Sequence, residues 1–335
     1  MNQQSKLVSI RVDGDSKIGL GHIIRCYALA QGLKKQFAID FYCKSIPLSL
    51  QNEINKGGFN ILKIENEEEF IEKIESGQIV VIDGYNFDTE YMMSVKTKGA
   101  KLVVIDDLCD KTYFADLIIN HSPAATKEGY NAQTYTKYAL GLDYVLLREK
   151  FLLQAAQNRT ISRISSVLVC FGGADSQNYT LKALQELSDI ARFQKIIAIT
   201  GPSYVFSETL ENLIRLDTRI AVKHNLNEEQ MIAEMIETDL AITSASGIVF
   251  EAVSCGCIPL ICITALNQES FHNVLNERFS VLSFGNNIKA FNTEKFKESI
   301  GLVTPSLKNE ADIIRLRIAE ASRKLASIFS LLNYD

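Results

Sequence analysis

Near-continuous apolar runs at 6–13, 38–43, 59–64, 79–83 and 101–105 alternate with segments of helical spacing at 22–36, 67–76 and 88–98. A strand that is apolar on both of its faces must be covered on both. In a chain that alternates strand and helix, that requirement implies a parallel sheet between two helical layers. Leu117-Ile118-Ile119-Asn120 ends a further strand, and a less regular stretch rich in Tyr, Ala and Thr runs on to about 145. The pattern restarts after the polar segment 154–166. Strands are expected at 166–171, 195–200, 219–223, 239–243 and 259–263, and helices at 178–190, 205–216, 227–237, 247–255 and 268–278. A long amphipathic helix is expected over 310–332 with no strand after it. The expected fold class is α/β, with two Rossmann-like doubly wound domains over residues 1–155 and 156–335, the second carrying the C-terminal helix.

Bulk properties narrow the function classes. The chain has 335 residues, a formal net charge of −5 and 22% charged residues, a balance that argues against a nucleic-acid groove or a general membrane-binding surface. No apolar run reaches the roughly 18 residues of a spanning helix, and the polar start Met1-Asn2-Gln3-Gln4-Ser5 does not read as a signal peptide. Seven cysteines, mostly inside apolar runs, fit reduced buried thiols. Cys255-Gly256-Cys257 has no second pair or nearby histidine, so it reads as structure and not as zinc ligation. The expectation is a cytoplasmic monomer without cofactor or metal, acting on a small molecule.

Open α/β sheets bind ligands beyond the carboxyl ends of their strands. Two such domains are expected to turn these loops into one cleft, which favours an enzyme acting on a nucleotide-bearing substrate. The first such loop is Ile18-Gly19-Leu20-Gly21-His22, directly after the run 7–12. Gly19 and Gly21 let the backbone pass close to a ligand. His22 falls at a helix N-terminus, whose positive dipole end disfavours an imidazolium, so His22 is a candidate general base. The plainer alternative is a surface histidine on an ordinary strand-turn-helix.

In the second half, Thr243-Ser244-Ala245-Ser246-Gly247 leads into a helix that carries Glu251 in its first turn. Small residues there let N–H groups and hydroxyls reach a diphosphate, and the carboxylate can accept both hydroxyls of a ribose. The alternative is a capped helix with Ser246 as N-cap. Gly172-Gly173 ends another strand on the same side and matches neither a P-loop nor a dinucleotide fingerprint. Tyr85 is a candidate substrate contact, with a tyrosine packed at a loop edge as the alternative, and Asn267-Gln268 could hold a sugar amide or hydroxyl, with an ordinary Asn N-cap as the alternative. Asp106-Asp107 reads as loop capping in preference to a divalent site, because adjacent side chains diverge in an extended chain. His121, His224 and His272 have no companions at catalytic or metal spacing, and no Gly-x-Ser-x-Gly elbow occurs.

Arg11-Val12-Asp13, Ile18-Gly19-Leu20-Gly21-His22 and Arg25-Cys26 together resemble the amino-terminal signature of the UDP-sugar hydrolases of pseudaminic acid biosynthesis. Further matches follow in family order at Val81–Tyr85, Val103–Leu108, Cys170–Asp175, Ser244–Glu251 and Asn267–Ser270. The resemblance implies a GT-B fold related to the peptidoglycan N-acetylglucosaminyltransferase. It also implies metal-independent hydrolysis of UDP-2,4-diacetamido-2,4,6-trideoxy-β-L-altropyranose to UDP and the free sugar. His22 then corresponds to the base that activates water. Arg11, Asp13, Gly19, Gly21, Tyr85, Asn267 and Gln268 correspond to the substrate side, and Gly172, Gly173, Ser244, Ser246, Gly247 and Glu251 to the UDP side. A single displacement implies inversion at C1. Two departures are the tail beyond about 290, longer than in compact members, and Gly84 directly before Tyr85. A tail helix of this kind either crosses back onto the first domain or mediates contacts. A GT-B glycosyltransferase and a non-catalytic UDP-sugar-binding protein are the competing classes.

Overall fold

The computed structural model describes residues 6–15, 19–173, 175–285 and 291–332. Ile18 of the first glycine turn and Ala174 after the second glycine pair lie outside the described residues. The chain forms two compact units. One comprises the residues up to Glu149 together with those from Glu320 on, and the other runs from Lys150 to Ala319.

In the first unit the strands are β1 (Leu7–Val12), β2 (Ala38–Cys43), β3 (Asn60–Lys63), β4 (Ile79–Asp83), β5 (Lys101–Ile105), β6 (Thr112–Tyr113), β7 (Leu117–Asn120), β8 (Asn131–Ala132) and β9 (Lys137–Leu140). Among the described residues the main sheet has the order β3-β2-β1-β4-β5-β7-β9, and its neighbours pair in parallel. Residues of β4 alternate between two cores. Ile79 and Val81 join the cluster beneath helix α1 (Gly21–Leu33), while Val80 and Ile82 join the cluster on the opposite face. This two-sided burial is the physical origin of the near-continuous apolar runs. Helices α2 (Leu48–Lys56), α3 (Glu67–Glu72) and α4 (Thr89–Thr97) make the remaining crossovers. α2 and β9 fall in segments the periodicity leaves unassigned; α2 buries only Leu50 and Ile54, too few to leave a helical stripe.

Helix α5 (Glu149–Ala155) carries the chain out of the first unit. The second unit contains β10 (Ser166–Cys170), α6 (Tyr179–Ser188), β11 (Lys195–Thr200), α7 (Glu208–Leu216), β12 (Ile220–His224), α8 (Glu228–Ile236), β13 (Leu240–Ser244), α9 (Ile248–Ser254), β14 (Ile258–Cys262), α10 (Glu269–Phe279), β15 (Leu282–Gly285), α11 (Thr293–Leu302) and α12 (Lys308–Ala319). Its sheet runs β12-β11-β10-β13-β14-β15 with parallel pairing. Cys170 pairs with Thr243 and Ser244 with Cys262, so the strand-end loops of β10, β13 and β14 emerge side by side.

The tail corrects the sequence expectation. Two helices, α12 and α13 (Ala321–Leu331), replace the single helix over 310–332, and the boundary between the units falls at their junction. The final helix therefore belongs to the first unit and not to the second. Leu325, Phe329 and Leu332 enter the first unit's core, where the Phe329 ring meets Phe37 edge-on at 6.3 Å. Gly32 lies so close to Ser322 that a Cβ there would stand 2.7 Å from the serine hydroxyl. Lys324 adds an ion pair to Asp143 at 2.7 Å. Among the described residues no helix is long and apolar enough to cross a membrane.

Candidate active site

The turn between β1 and α1 places the first functional group. Gly19 has φ +88°, in the left-handed region that other residues rarely adopt, and its N–H donates to the Asp15 carbonyl at 2.9 Å. Among the described residues, a Cβ on Gly19 or Gly21 would meet nothing within 4 Å. Leu20 is the N-cap and supplies no side-chain cap, which leaves His22 in the first turn of α1.

His22 is buried and its Nδ1 lies 2.7 Å from Asp83 Oδ1, at the last position of β4. Arg25, one turn further along α1, grips the same carboxylate twice, with Nε to Oδ2 at 2.6 Å and Nη2 to Oδ1 at 2.6 Å. Its Nη1 donates to Asp107 Oδ1 at 2.6 Å. Burial works against the Asp83 charge, yet Arg25 and the His22 hydrogen bond outweigh it and hold the Asp83 pKa at about 2. Burial likewise opposes the Arg25 charge, and the two carboxylates keep that guanidinium pKa well above its ordinary value. Two groups meet Nδ1, the Asp83 carboxylate, which only accepts, at 2.7 Å and Arg25 Nη2, which only donates, at 3.1 Å; a proton on Nδ1 of a neutral His22 satisfies the shorter contact. Nε2 is then the ring atom able to take one, and no described residue hydrogen-bonds it.

Tyr85 completes this side of the site. Its ring stands edge-on to His22, with centroids 4.7 Å apart and planes at 84°, and its hydroxyl donates to Asp107 Oδ2 at 3.3 Å. With half of its surface exposed, Tyr85 remains accessible to a ligand beside His22. The Gly84 φ of +156° sets up this loop, because a Cβ there would sit 2.8 Å from Asn86 Oδ1.

Two residues expected on the substrate side are placed elsewhere. Arg11 is fully buried and satisfied: Nε donates to Glu67 Oε2 at 2.9 Å, and Nη2 to Glu67 Oε1 at 2.7 Å and to Asp13 Oδ2 at 2.6 Å. The guanidinium also lies over the Phe87 ring at 5.4 Å. Asp13 in turn accepts from the Lys44 and Ser45 backbone N–H groups at 2.6 and 3.1 Å. Together they lace β1, the loop after β2 and α3, which is an architectural task. Asp106 is architectural too. It accepts from the N–H groups of Leu108 and Cys109 and from the hydroxyls of Tyr113 and Tyr130, while Asp107 turns to Arg25. The adjacent acids diverge, as an extended chain requires.

In the second unit, the loop after β10 holds Gly172, with φ +89°, and Gly173. Gly201, at the end of β11, approaches it so closely that a Cβ would stand 2.4 Å from Gly173 Cα. Among the described residues, a Cβ on Gly172, Gly173 or Gly247 would meet nothing within 4 Å. Ser244 and Ser246 lie on the loop after β13, with their hydroxyls 3.0 Å apart. The N-cap of α9 is Gly247, without a side-chain cap, in place of the Ser246 cap that the alternative reading requires. Glu251 sits in the first turn of α9. Burial pushes the Cys170 thiol up to about 12, and the Glu251 carboxylate adds to that rise. Asn267 is exposed after β14, whereas Gln268 commits its side-chain oxygen to Thr264, accepting from the backbone N–H at 2.8 Å.

The sequence reading missed Asp83 and Arg25 as functional residues. The signals were an acid closing a wholly apolar strand run and an arginine three positions after His22 on the same helix face.

No family model matches the sequence. Over 260 residues the chain is 31% identical to the UDP-2,4-diacetamido-2,4,6-trideoxy-β-L-altropyranose hydrolase of Campylobacter jejuni, covering 73% of this chain and 87% of that protein. It is 26% identical over 288 residues to protein MJ1062 of Methanocaldococcus jannaschii, covering 81% of this chain but spanning only 58% of that longer protein. Among solved structures, MurG of Acinetobacter baumannii matches with a TM-score of 0.63 at 13% identity, covering 97% of this chain and 99% of the other. The fold is the two-domain GT-B fold.

Proposed function

The chain belongs to the family of UDP-sugar-processing GT-B proteins that includes the Campylobacter hydrolase, and we propose that it hydrolyses a UDP-linked diacetamido-trideoxy sugar to UDP and the free sugar. The observation that carries this reading is the His22–Asp83 pair, a buried imidazole whose Nδ1 is fixed by an ionised carboxylate. Such a pair suits a general base. Water attacks C1, His22 Nε2 takes its proton, and the bond from C1 to the phosphate oxygen breaks with its electrons leaving on UDP. One displacement inverts the anomeric centre.

In this reading the proton chemistry belongs to the first unit and the UDP to the second. Open glycine backbone at 172–173, the hydroxyls of Ser244 and Ser246, and Gly247 serve the diphosphate, whose charge grows as the bond breaks. Glu251 serves the ribose, and Tyr85 and Asn267 serve the sugar. The reaction requires no metal or cofactor and suits a cytoplasmic monomer acting on a small molecule.

The test is UDP release from UDP-2,4-diacetamido-2,4,6-trideoxy-β-L-altropyranose with EDTA present and no acceptor added, for the wild type and His22→Asn. The expected result is wild-type release that falls ~10²–10⁴-fold in the variant while UDP affinity persists. Release only on addition of a hydroxyl acceptor would convert the reading to a glycosyltransferase. UDP binding with no turnover under any acceptor would leave a binding protein.

A further inference from the structure

Five side chains of the first unit close a circuit around the proposed base. His22 Nδ1 meets Asp83 Oδ1 at 2.7 Å, and Asp83 Oδ2 accepts from Arg25 Nε at 2.6 Å. Arg25 Nη1 donates to Asp107 Oδ1 at 2.6 Å, and Asp107 Oδ2 accepts from the Tyr85 hydroxyl at 3.3 Å. The Tyr85 ring then returns to the His22 ring, edge-on with centroids 4.7 Å apart. Tyr85 follows β4 and Asp107 follows β5, two strands that pair side by side, so strand order brings the carboxylate to the phenol.

His22 Nδ1 is taken up by this circuit, so a nucleophile must reach Nε2, and only 7% of the residue's surface is open. Tyr85 is half exposed while the imidazole it packs against is buried, which makes Tyr85 the outer of the two rings. A tyrosine on a loop has several staggered rotamers open to it. A hydrogen bond to a carboxylate that is itself ion-paired selects one of them. Burial opposes the Asp107 charge, and Arg25 outweighs it and holds the carboxyl below its ordinary range, so Asp107 remains an acceptor for the phenol.

We propose that Tyr85, tethered by Asp107, is a screen that selects the nucleophile: it leaves His22 Nε2 open to water and shuts out a carbon-bearing hydroxyl. Water and an alcohol would otherwise react alike here. Either gives its O–H proton to Nε2 and bonds through its oxygen to C1, while the bond from C1 to the phosphate oxygen breaks with its electrons leaving on UDP. Water yields the free sugar and methanol the methyl glycoside. Tyr85 is thus a specificity-determining residue, and Asp107 is a positioning residue that touches no reacting atom. The proposal rests on His22 being the general base, and it names what separates a hydrolase from a transferase on the same fold.

Two readouts test the screen in the wild type, Tyr85→Ala, Asp107→Ala and Asp107→Asn. Diethyl pyrocarbonate acylates an unprotonated imidazole nitrogen, and peptide mass spectrometry follows it at His22, with the exposed His224 as internal standard. Turnover of UDP-2,4-diacetamido-2,4,6-trideoxy-β-L-altropyranose in aqueous methanol gives the ratio of methyl glycoside to free sugar. The screen predicts that His22 acylation and the glycoside ratio each rise roughly 10- to 100-fold in Tyr85→Ala and Asp107→Ala, at an unchanged His224 rate. Both should stay at wild-type values in Asp107→Asn, whose amide can give its oxygen to Arg25 and its NH₂ to the Tyr85 oxygen. Should Asp107→Ala fail to fold, Tyr85→Phe cuts the same tether from the exposed side and is expected to move both readouts the same way. His22 as slow in Tyr85→Ala as in the wild type would overturn the proposal. So would free sugar as the sole product of a variant whose His22 has opened, which would leave Tyr85 a sugar contact, or a cut tether that changes neither readout. A wild type that releases no UDP would sink the hydrolase reading alone, since the acylation rates decide the screen without turnover.

Discussion

Asp83 Oδ1 stands 2.7 Å from His22 Nδ1, joining the last residue of a buried strand to the first turn of the helix above it. The helix end disfavours an imidazolium, whereas the carboxylate favours one, and the carboxylate is in direct contact. In the proposed hydrolysis, the charge that forms as water gives up its proton is therefore compensated where it appears.

Replacing Asp83 with Asn tests that compensation. The amide keeps the shape but loses the charge, and its NH₂ group opposes donors from Arg25. The expected loss in kcat is roughly 10²–10⁴-fold, with UDP affinity retained. Steady-state UDP release alongside calorimetric titration with UDP checks it; equal losses in turnover and UDP affinity would point to collapse of the site.

Acid should weaken the fold through the same carboxylate. The Asp83 pKa is about 2 in the folded chain against an ordinary 3.8, so the unfolded chain binds its proton first as pH falls. The stabilisation is complete above 3.8 and is lost as pH falls towards about 2. Denaturant midpoints of the wild type and Asp83→Asn should therefore differ most near neutral pH and converge on acidification. A gap constant with pH would contradict the ionic origin.

Arg11→Met separates architecture from substrate binding. The substitution leaves Glu67 and Asp13 without their buried cation, a change expected to cost roughly 3 kcal/mol. Urea denaturation should show that loss, while KM for the UDP-sugar stays within about twofold in the folded protein, as expected for a residue outside the binding surface. A raised KM with unchanged stability would return Arg11 to the substrate side.

Most of the architecture was legible in the sequence, because strands buried on both faces leave apolar runs that no exposed element imitates. β2, β4 and β5 fall on the runs at 38–43, 79–83 and 101–105. Elements with thin apolar faces, such as α2, and those in mixed stretches, such as β9 and β15, leave no such trace. The candidate site divides in the same way. The glycine and small hydroxyl residues after β1, β10 and β13 do lie in strand-end loops, where the spacing puts them. The partners of His22 were not legible, because pairing across β4, β5 and α1 is set by strand order, which periodicity does not encode. Arg11 stood on the substrate side through the resemblance alone, and its buried partners Glu67 and Asp13 are brought to it by the fold and by no spacing in the sequence.

Phe329→Ala probes the last helix. The ring is fully buried against Phe37, and its removal is expected to cost about 3–5 kcal/mol. Thermal unfolding and limited proteolysis should show cleavage in the first unit before the second. Preferential cleavage within 150–319 would contradict the placement of α13.

Protein synthesis gives that placement a temporal meaning. Domains ordinarily fold in the order in which they leave the ribosome. Here the first unit emerges without Leu325, Phe329 and Leu332, and the entire second unit is translated before they arrive. The unit carrying His22 is thus begun before the other and finished after it, so an interrupted message yields a complete second unit beside an unsealed partner.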